Sequence, residues 1–210
     1  MAHVPHLLLE SPWDSQLVEV SEAQAAHLER VLRLREGDPV SYTDGLGTLG
    51  EGRYRPGLVV RGGESTIDRP TDLVVVVAPP NNRDRARFMI EKLSEMGVAE
   101  VRFLETGYGQ GRPPRADRLR AWAVSGLEQS TGVWLMRTST ELVTLSGLDG
   151  PVAVCEQGGS KEPPHARTVV IGPEGGWAPG ELPEGAMLFD LGNTILRVET
   201  AAVVAAARMM

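Results

Sequence analysis

Apolar positions along the chain change their spacing near residue 70. Before that point short apolar runs alternate with polar residues: His6 to Glu10 and Val40 to Thr43 read as strands, and Leu58 to Val60 ends a further strand or hairpin. Ser21-Glu22-Ala23-Gln24 has the capping-box pattern and opens a helix whose expected buried face carries Ala25, Leu28, Val31 and Leu32. Asp44-Gly45-Leu46-Gly47-Thr48-Leu49-Gly50 contains a literal G-x-G-x-x-G, but glycines, a proline and β-branched residues follow it. A dinucleotide fingerprint needs a helix there, so Asp44-Gly45 is read as a hairpin turn. The polar stretch from Arg61 through Arg69-Pro70 reads as a turn-rich domain boundary.

Beyond it the apolar runs become continuous. Leu73 to Ala78 has the composition of a strand buried on both faces of a parallel sheet, Arg83 to Met96 has helical spacing with Gly97 as its cap, and Val98 to Leu104 is the next strand. Strand, helix and strand in that order predict a βαβ unit. A glycine-rich loop over 107–111, a helix from Ala116 to about Ser130 and a strand from Val152 to Cys155 follow, with Glu156 to Ser160 expected as the polar exit of that strand. Thr168-Val169-Val170-Ile171 then runs into Gly172-Pro173-Glu174-Gly175-Gly176-Trp177. Met187-Leu188-Phe189-Asp190-Leu191 runs into Gly192-Asn193-Thr194-Ile195-Leu196-Arg197-Val198-Glu199-Thr200-Ala201, at the head of a closing helix. Two strands ending in glycine-bearing loops place a ligand pocket at the carboxyl edge of the sheet.

Composition narrows the classes. The single cysteine, Cys155, excludes an intrachain disulfide and a multi-cysteine zinc site, no metal is expected, and a reducing compartment fits. The amino-terminal hexapeptide Met1 to His6 lacks a basic leader and no apolar run reaches the length of a membrane span, so the expected location is cytoplasmic with no membrane partner. A net charge of -7 argues against coating nucleic acid through bulk electrostatics. The charge is uneven, however: residues 83–120 carry nine basic against six acidic side chains, and 121–210 carry five against ten. In the first seventy residues Arg30, Arg33 and Arg35 are either a solvated complement to a helix end or a phosphate-contacting edge, which Arg53 and Arg55 would extend into a positive face.

The Gly-Pro-Glu-Gly-Gly loop and the Leu-Gly-x-x-Ile-Leu-Arg-x-Glu-Thr-Ala segment resemble the RsmE family of SPOUT-class RNA methyltransferases. Glu91 to Val98, Glu128-Gln129-Ser130, His27-Leu28 with Val31 to Asp38, and Asp44-Gly45 are similar to further stretches of that family, so the resemblance covers nearly the whole chain. It implies an α/β fold: a trefoil-knotted parallel sheet in a SPOUT methyltransferase domain over 71–210, preceded by a PUA-like small β-barrel, an RNA-binding domain, over 1–70. It further implies a homodimer formed through the knot, S-adenosyl-L-methionine as cofactor, and 16S ribosomal RNA of the small ribosomal subunit as substrate, methylated at N3 of a uridine. Gly172, Gly175, Gly176 and Gly192 would let backbone groups read adenine and ribose, and Ile171, Leu191, Ile195 and Leu196 would wall the adenine. Gly176→Val is expected to abolish cofactor binding by filling the adenine approach. Arg197 would stabilise the developing anion or orient the substrate, and Glu199 with Thr200 either serve as base and orienting groups or merely stabilise the first turn of a helix. The chain departs from the family pattern at Asn193-Thr194, at Gly132 and in the loop Gly107 to Gly111. The alternatives are a SPOUT methyltransferase of another RNA and a non-catalytic protein of RNA binding or ribosome assembly.

Overall fold

In a computed structural model that describes residues 4–210, the two spacings of apolar residues build two separate sheets. Met1 to His3 of the amino-terminal hexapeptide lie outside the described residues. The first unit comprises the chain up to Arg69 together with Leu127–Leu135, and the second comprises Pro70–Gly126 and Met136–Met210.

The first unit holds β1 (His6–Leu8), β2 (Leu17–Glu19), β3 (Pro39–Thr43), β4 (Thr48–Arg55) and β5 (Leu58–Thr66) in the order β1-β3-β4-β5-β2. Only β1 and β3 pair in parallel; the other neighbours are antiparallel. Leu7, Leu9, Leu28, Val40, Tyr42, Tyr54 and Val59 form its core. The G-x-G-x-x-G stretch is the β3–β4 turn: Asp44 Oδ1 accepts the amides of Leu46 at 2.7 Å and Thr48 at 3.1 Å, and no helix follows. Strand β5 runs on to Thr66, so Arg61 to Ser65, read from sequence as turn, is paired backbone whose residues from Gly62 on are exposed.

Ser21 forms the expected capping box, its oxygen accepting from the Gln24 amide at 3.2 Å while Gln24 Oε1 accepts from the Ser21 amide at 3.1 Å. The helix it opens does not keep its expected face. After α1 (Glu22–Ala26) the chain widens into a π turn, His27–Val31, in which Leu32 N–H donates to His27 C=O five residues back. Each wide turn moves later side chains off the α-helical stripe. Leu28 therefore stays buried, whereas Val31 and Leu32 face water.

Glu128 ties this unit together. Its Oε1 accepts from the Leu8 amide at 3.0 Å and from Gln24 Nε2 at 3.3 Å, and burial pushes its pKa up. A carboxyl whose folded pKa is raised contributes stability that is complete below its unfolded pKa and is lost as pH rises through the folded one. Glu128→Gln keeps an acceptor oxygen and removes that loss. The melting temperature of the variant minus that of the wild type is therefore expected to grow between pH 4 and pH 7, and a pH-independent difference would contradict the assignment.

The second unit is an α/β fold with β6 (Val74–Val77), β7 (Glu100–Leu104), β8 (Arg137–Val143), β9 (Val152–Ser160), β10 (Thr168–Ile171) and β11 (Met187–Phe189). Their order is β11-β9-β10-β6-β7-β8, and every neighbouring pair is parallel. Its helices are α2 (Arg83–Glu95), α3 (Ala116–Ser130), whose last residues count with the first unit, and α4 (Val198–Met209). Asn82 caps α2 by accepting from the Asp84 and Arg85 amides, and α4 lies against α2 and over β6 and β10. The valine run of β6 pairs on both sides, with β10 and β7, which explains its unbroken hydrophobicity. Strand β9 continues through Glu156 to Ser160, so the expected polar exit is itself strand. It pairs across an irregularity with β11, Ser160 opposite Phe189. Among the described residues no helix is long and apolar enough to cross a membrane.

Candidate active site

Because β9, β10 and β11 are parallel neighbours, their carboxyl ends lie side by side on one edge of the sheet. The loop after β10, the loop after β11 and the head of α4 enclose a cavity of about 250 Å³ there. Ile171, Leu191, Ile195, Leu196 and Val198 give it apolar walls. Glu156, Glu174 and Asp190 are the ionisable groups of its lining apart from Cys155, and no lysine or arginine lines it. Burial pushes the Cys155 thiol up to about 12, which keeps it protonated and unreactive at neutral pH.

The loops are held by a few specific bonds. Trp177 Nε1 donates to Glu156 Oε2 at 2.9 Å, which lays the indole against Gly172. A Cβ on Gly172 would stand 2.7 Å from the indole, so only glycine fits under this ring. Asp190 accepts the Gly192 amide at 2.9 Å and the Gly158 amide at 3.2 Å, and these two bonds hold its carboxyl below the usual range. Arg208 places its guanidinium 4.7 Å from the Phe189 ring centre and donates to the Asp190 carbonyl at 2.8 Å. The helix α4 thus anchors the loop whose first turn opens that same helix. Gly176 has φ of +74° with nothing within 4 Å of an added Cβ. The left-handed backbone favours glycine there, and Gly176 is part of the cavity lining.

A second cavity of about 280 Å³ adjoins the first and shares Pro173, Glu174 and Val198 with it. Asn81, Arg85, Tyr108 and Gln110 contribute its polar groups. Arg85 bridges two carboxylates, with Nη1 3.4 Å from Glu174 Oε1 and Nε 3.7 Å from Glu199 Oε1. Glu199 is buried at 8% exposure, and its Oε2 has no hydrogen-bond partner among the described residues.

Of the eight residues expected at a cofactor, Ile171, Gly172, Gly176, Leu191, Gly192, Ile195 and Leu196 line the first cavity, and Gly175 borders the second. Arg197 is the exposed N-cap of α4, between Leu196 and Val198 of the cavity wall, Glu199 is buried and Thr200 is exposed; none of the three lines these two cavities. In the first unit Arg30, Arg33, Arg35, Arg53 and Arg55 are all exposed. Arg53 donates to the Gly37 carbonyl at 3.1 Å and Arg55 pairs with Glu36 at 3.5 Å, which brings the loop that follows Arg35 against β4. Sequence reasoning missed Arg85, Glu156 and Asp190. Distant partners set two of them apart: Glu174 and Glu199 face Arg85, and Trp177 donates to Glu156.

Residues 68–210 match the family model for an RNA methyltransferase domain. No curated protein sequence matches the chain. Among solved structures the fold is similar to that of a probable rRNA methyltransferase from Porphyromonas gingivalis, with a TM-score of 0.81 and 26% identity over 97% of this chain and 96% of that one. It is also similar to ribosomal RNA small subunit methyltransferase E from Neisseria gonorrhoeae bound to S-adenosyl methionine, with a TM-score of 0.80 and 23% identity over 99% and 97% of the two chains. A candidate methyltransferase from Legionella pneumophila, in complex with the bound cofactor SAM, gives a TM-score of 0.80 and 19% identity over 99% and 97%. At their identities the last two are likenesses of fold alone. The family match spans more than half of the chain and includes every loop of both cavities, and the chain belongs to the RNA methyltransferase family.

Proposed function

We propose that the protein is an S-adenosylmethionine-dependent methyltransferase acting on N3 of a uridine in 16S ribosomal RNA of the small subunit. The observation that carries the cofactor assignment is the division of charge along one sheet edge. The first cavity has apolar walls, three carboxylates and no basic side chain, and the adjoining one presents Arg85. An apolar pocket rimmed by acids suits a ligand that joins a flat heterocycle to a cationic centre. S-adenosylmethionine is such a ligand, and it supplies a methyl group on a positively charged sulfur. Ile171, Leu191, Ile195 and Leu196 would hold its adenine, and the Gly172 and Gly192 loops would offer backbone groups to adenine and ribose. Glu156 and Asp190 would face its positive charges. The match of residues 68–210 to an RNA methyltransferase domain supports the same assignment.

The acceptor nitrogen of uracil carries a proton that must leave before it can act as a nucleophile. Glu199 is the carboxylate held against Arg85 in the first turn of α4, with its second oxygen buried and without a partner among the described residues. It serves in this reading as the base or as the group that orients the base. Arg197, at the rim, offers a cation to the negative charge that develops on the uracil oxygens. Thr200, one turn on, orients the substrate. The reading includes a knotted SPOUT domain over 71–210 that dimerises through the knot, a PUA-like RNA-binding domain over 1–70, RNA contact by Arg30, Arg33, Arg35, Arg53 and Arg55, and a cytoplasmic location.

Titration calorimetry with S-adenosylmethionine, and with NAD as control, tests the cofactor. Binding of the first alone is expected, and binding of neither overturns the reading. With small ribosomal subunits as acceptor, Arg197→Ala is expected to slow methyl transfer about 10²-fold or more, the usual cost of removing one anion-stabilising donor. Its affinity for S-adenosylmethionine should stay within twofold of wild type. Undiminished turnover would remove Arg197 from the chemistry, and methylation mapped to a position other than uridine N3 would replace the substrate assignment.

A further inference from the structure

Further along the same edge, a third cavity of about 260 Å³ is ringed by Arg83, Arg112 and Arg118, with Pro80, Pro114 and Trp122 in its apolar lining. It shares Pro80, Asn81 and Gln110 with the cavity that holds Arg85. The three arginines come from separate segments: the first residue of α2, the loop after β7, and the first turn of α3. All three are exposed, and none has a carboxylate partner among the described residues. The neighbouring Asp117 is already paired with Arg115 at 3.2 Å.

A stability argument does not account for this arrangement. Cations in the first turn of a helix oppose the helix dipole, and both Arg83 and Arg118 are so placed. Three like charges about one small cavity repel one another as well. The loop bearing Arg112 is nevertheless packed in place, because Gly111 lies so close to the Pro79 carbonyl that any Cβ there would overlap it. The complement of three unpaired guanidiniums is a phosphate, which arginine binds through parallel N–H donors. The apolar lining suits the sugar or base attached to it.

We propose that this cavity binds a backbone phosphate of the RNA strand, belonging to a nucleotide next to the one whose base is methylated. Arg83, Arg112 and Arg118 hold the phosphate, and the shared wall of Pro80, Asn81 and Gln110 leads the strand to the Arg85 cavity. The inference rests on the RNA methyltransferase reading and fixes the direction in which the substrate crosses the sheet edge.

The test uses the full chain, transcribed 16S ribosomal RNA and two triple variants, R83Q/R112Q/R118Q and R83K/R112K/R118K. The glutamine variant is expected to bind S-adenosylmethionine as the wild type does while its KM for RNA rises at least tenfold. Its plot of log RNA affinity against log salt should be shallower by at least about 0.7, the value for one phosphate contact on a single strand. The lysine variant should recover the salt slope. Wild-type KM and slope in the glutamine variant would overturn the subsite. A wild-type protein that binds RNA but neither binds nor uses S-adenosylmethionine would instead overturn the functional reading, since RNA binding and its salt slope are measured without turnover.

Discussion

Gly172→Val is expected to abolish S-adenosylmethionine binding while leaving the parallel sheet intact. Gly172 follows the last residue of β10, where an added Cβ stands 2.7 Å from the Trp177 indole, and valine adds two methyl groups beyond that. The indole must swing away. With it goes the 2.9 Å bond from Trp177 Nε1 to Glu156, both of which line the cavity. A loss of affinity of at least 10²-fold, about 2.7 kcal/mol, is expected by calorimetry. The strand itself ends before the substitution, so far-ultraviolet circular dichroism should be unchanged. Gly176→Ala is the contrasting variant: its Cβ meets open space, and its cost is the roughly 1–2 kcal/mol of a left-handed backbone in a surface loop. Equal affinities for wild type and Gly172→Val would show that this loop does not shape the cofactor site.

The parts of this site that were legible in the sequence are those encoded locally. A β-branched run broken by Gly-Pro, and an apolar run broken by Leu-Gly at the head of a helix, announce strand exits from a few neighbouring residues. β10, β11 and α4 lie close to where that grammar puts them. The capping box at Ser21 is local for the same reason. What escaped depends on distant partners. Glu156 to Ser160 has the composition of a loop and becomes strand only because β11, about thirty residues later, pairs with it across an irregularity. β8 alternates without a strong apolar face and is strand because β7 stands beside it. The π turn at His27 lets the chain bury Leu28 while turning Val31 outward, which an α-helical spacing rule has no means to express. Arg85 was one of many arginines on a helix head; its meaning comes from Glu174 and Glu199, both more than eighty residues away.

That dependence is itself testable, because Arg85→Met removes the cation facing a buried carboxylate without opening a large void. Glu199 keeps only 10% of its side chain in water, its Oε2 already lacks a partner, and Arg85 is the charge nearest to Oε1. Breaking a fully buried ion pair from one side costs about 3–5 kcal/mol, mostly the stranded charge. Arg85 is 35% exposed, so a smaller loss of about 2 kcal/mol is expected here. In a chain of this length it corresponds to roughly 4–8 °C in melting temperature. Adding Glu199→Gln to Arg85→Met removes the stranded charge and should restore more than half of that loss, which a double-mutant cycle would read as a favourable coupling between the two residues. An Arg85→Met protein as stable as the wild type, with no coupling in the cycle, would mean that Arg85 does not hold the Glu199 carboxylate in place. A coupled pair, by contrast, fixes the carboxylate of Glu199 against Arg85 in the first turn of α4, next to Val198, which lines both cavities.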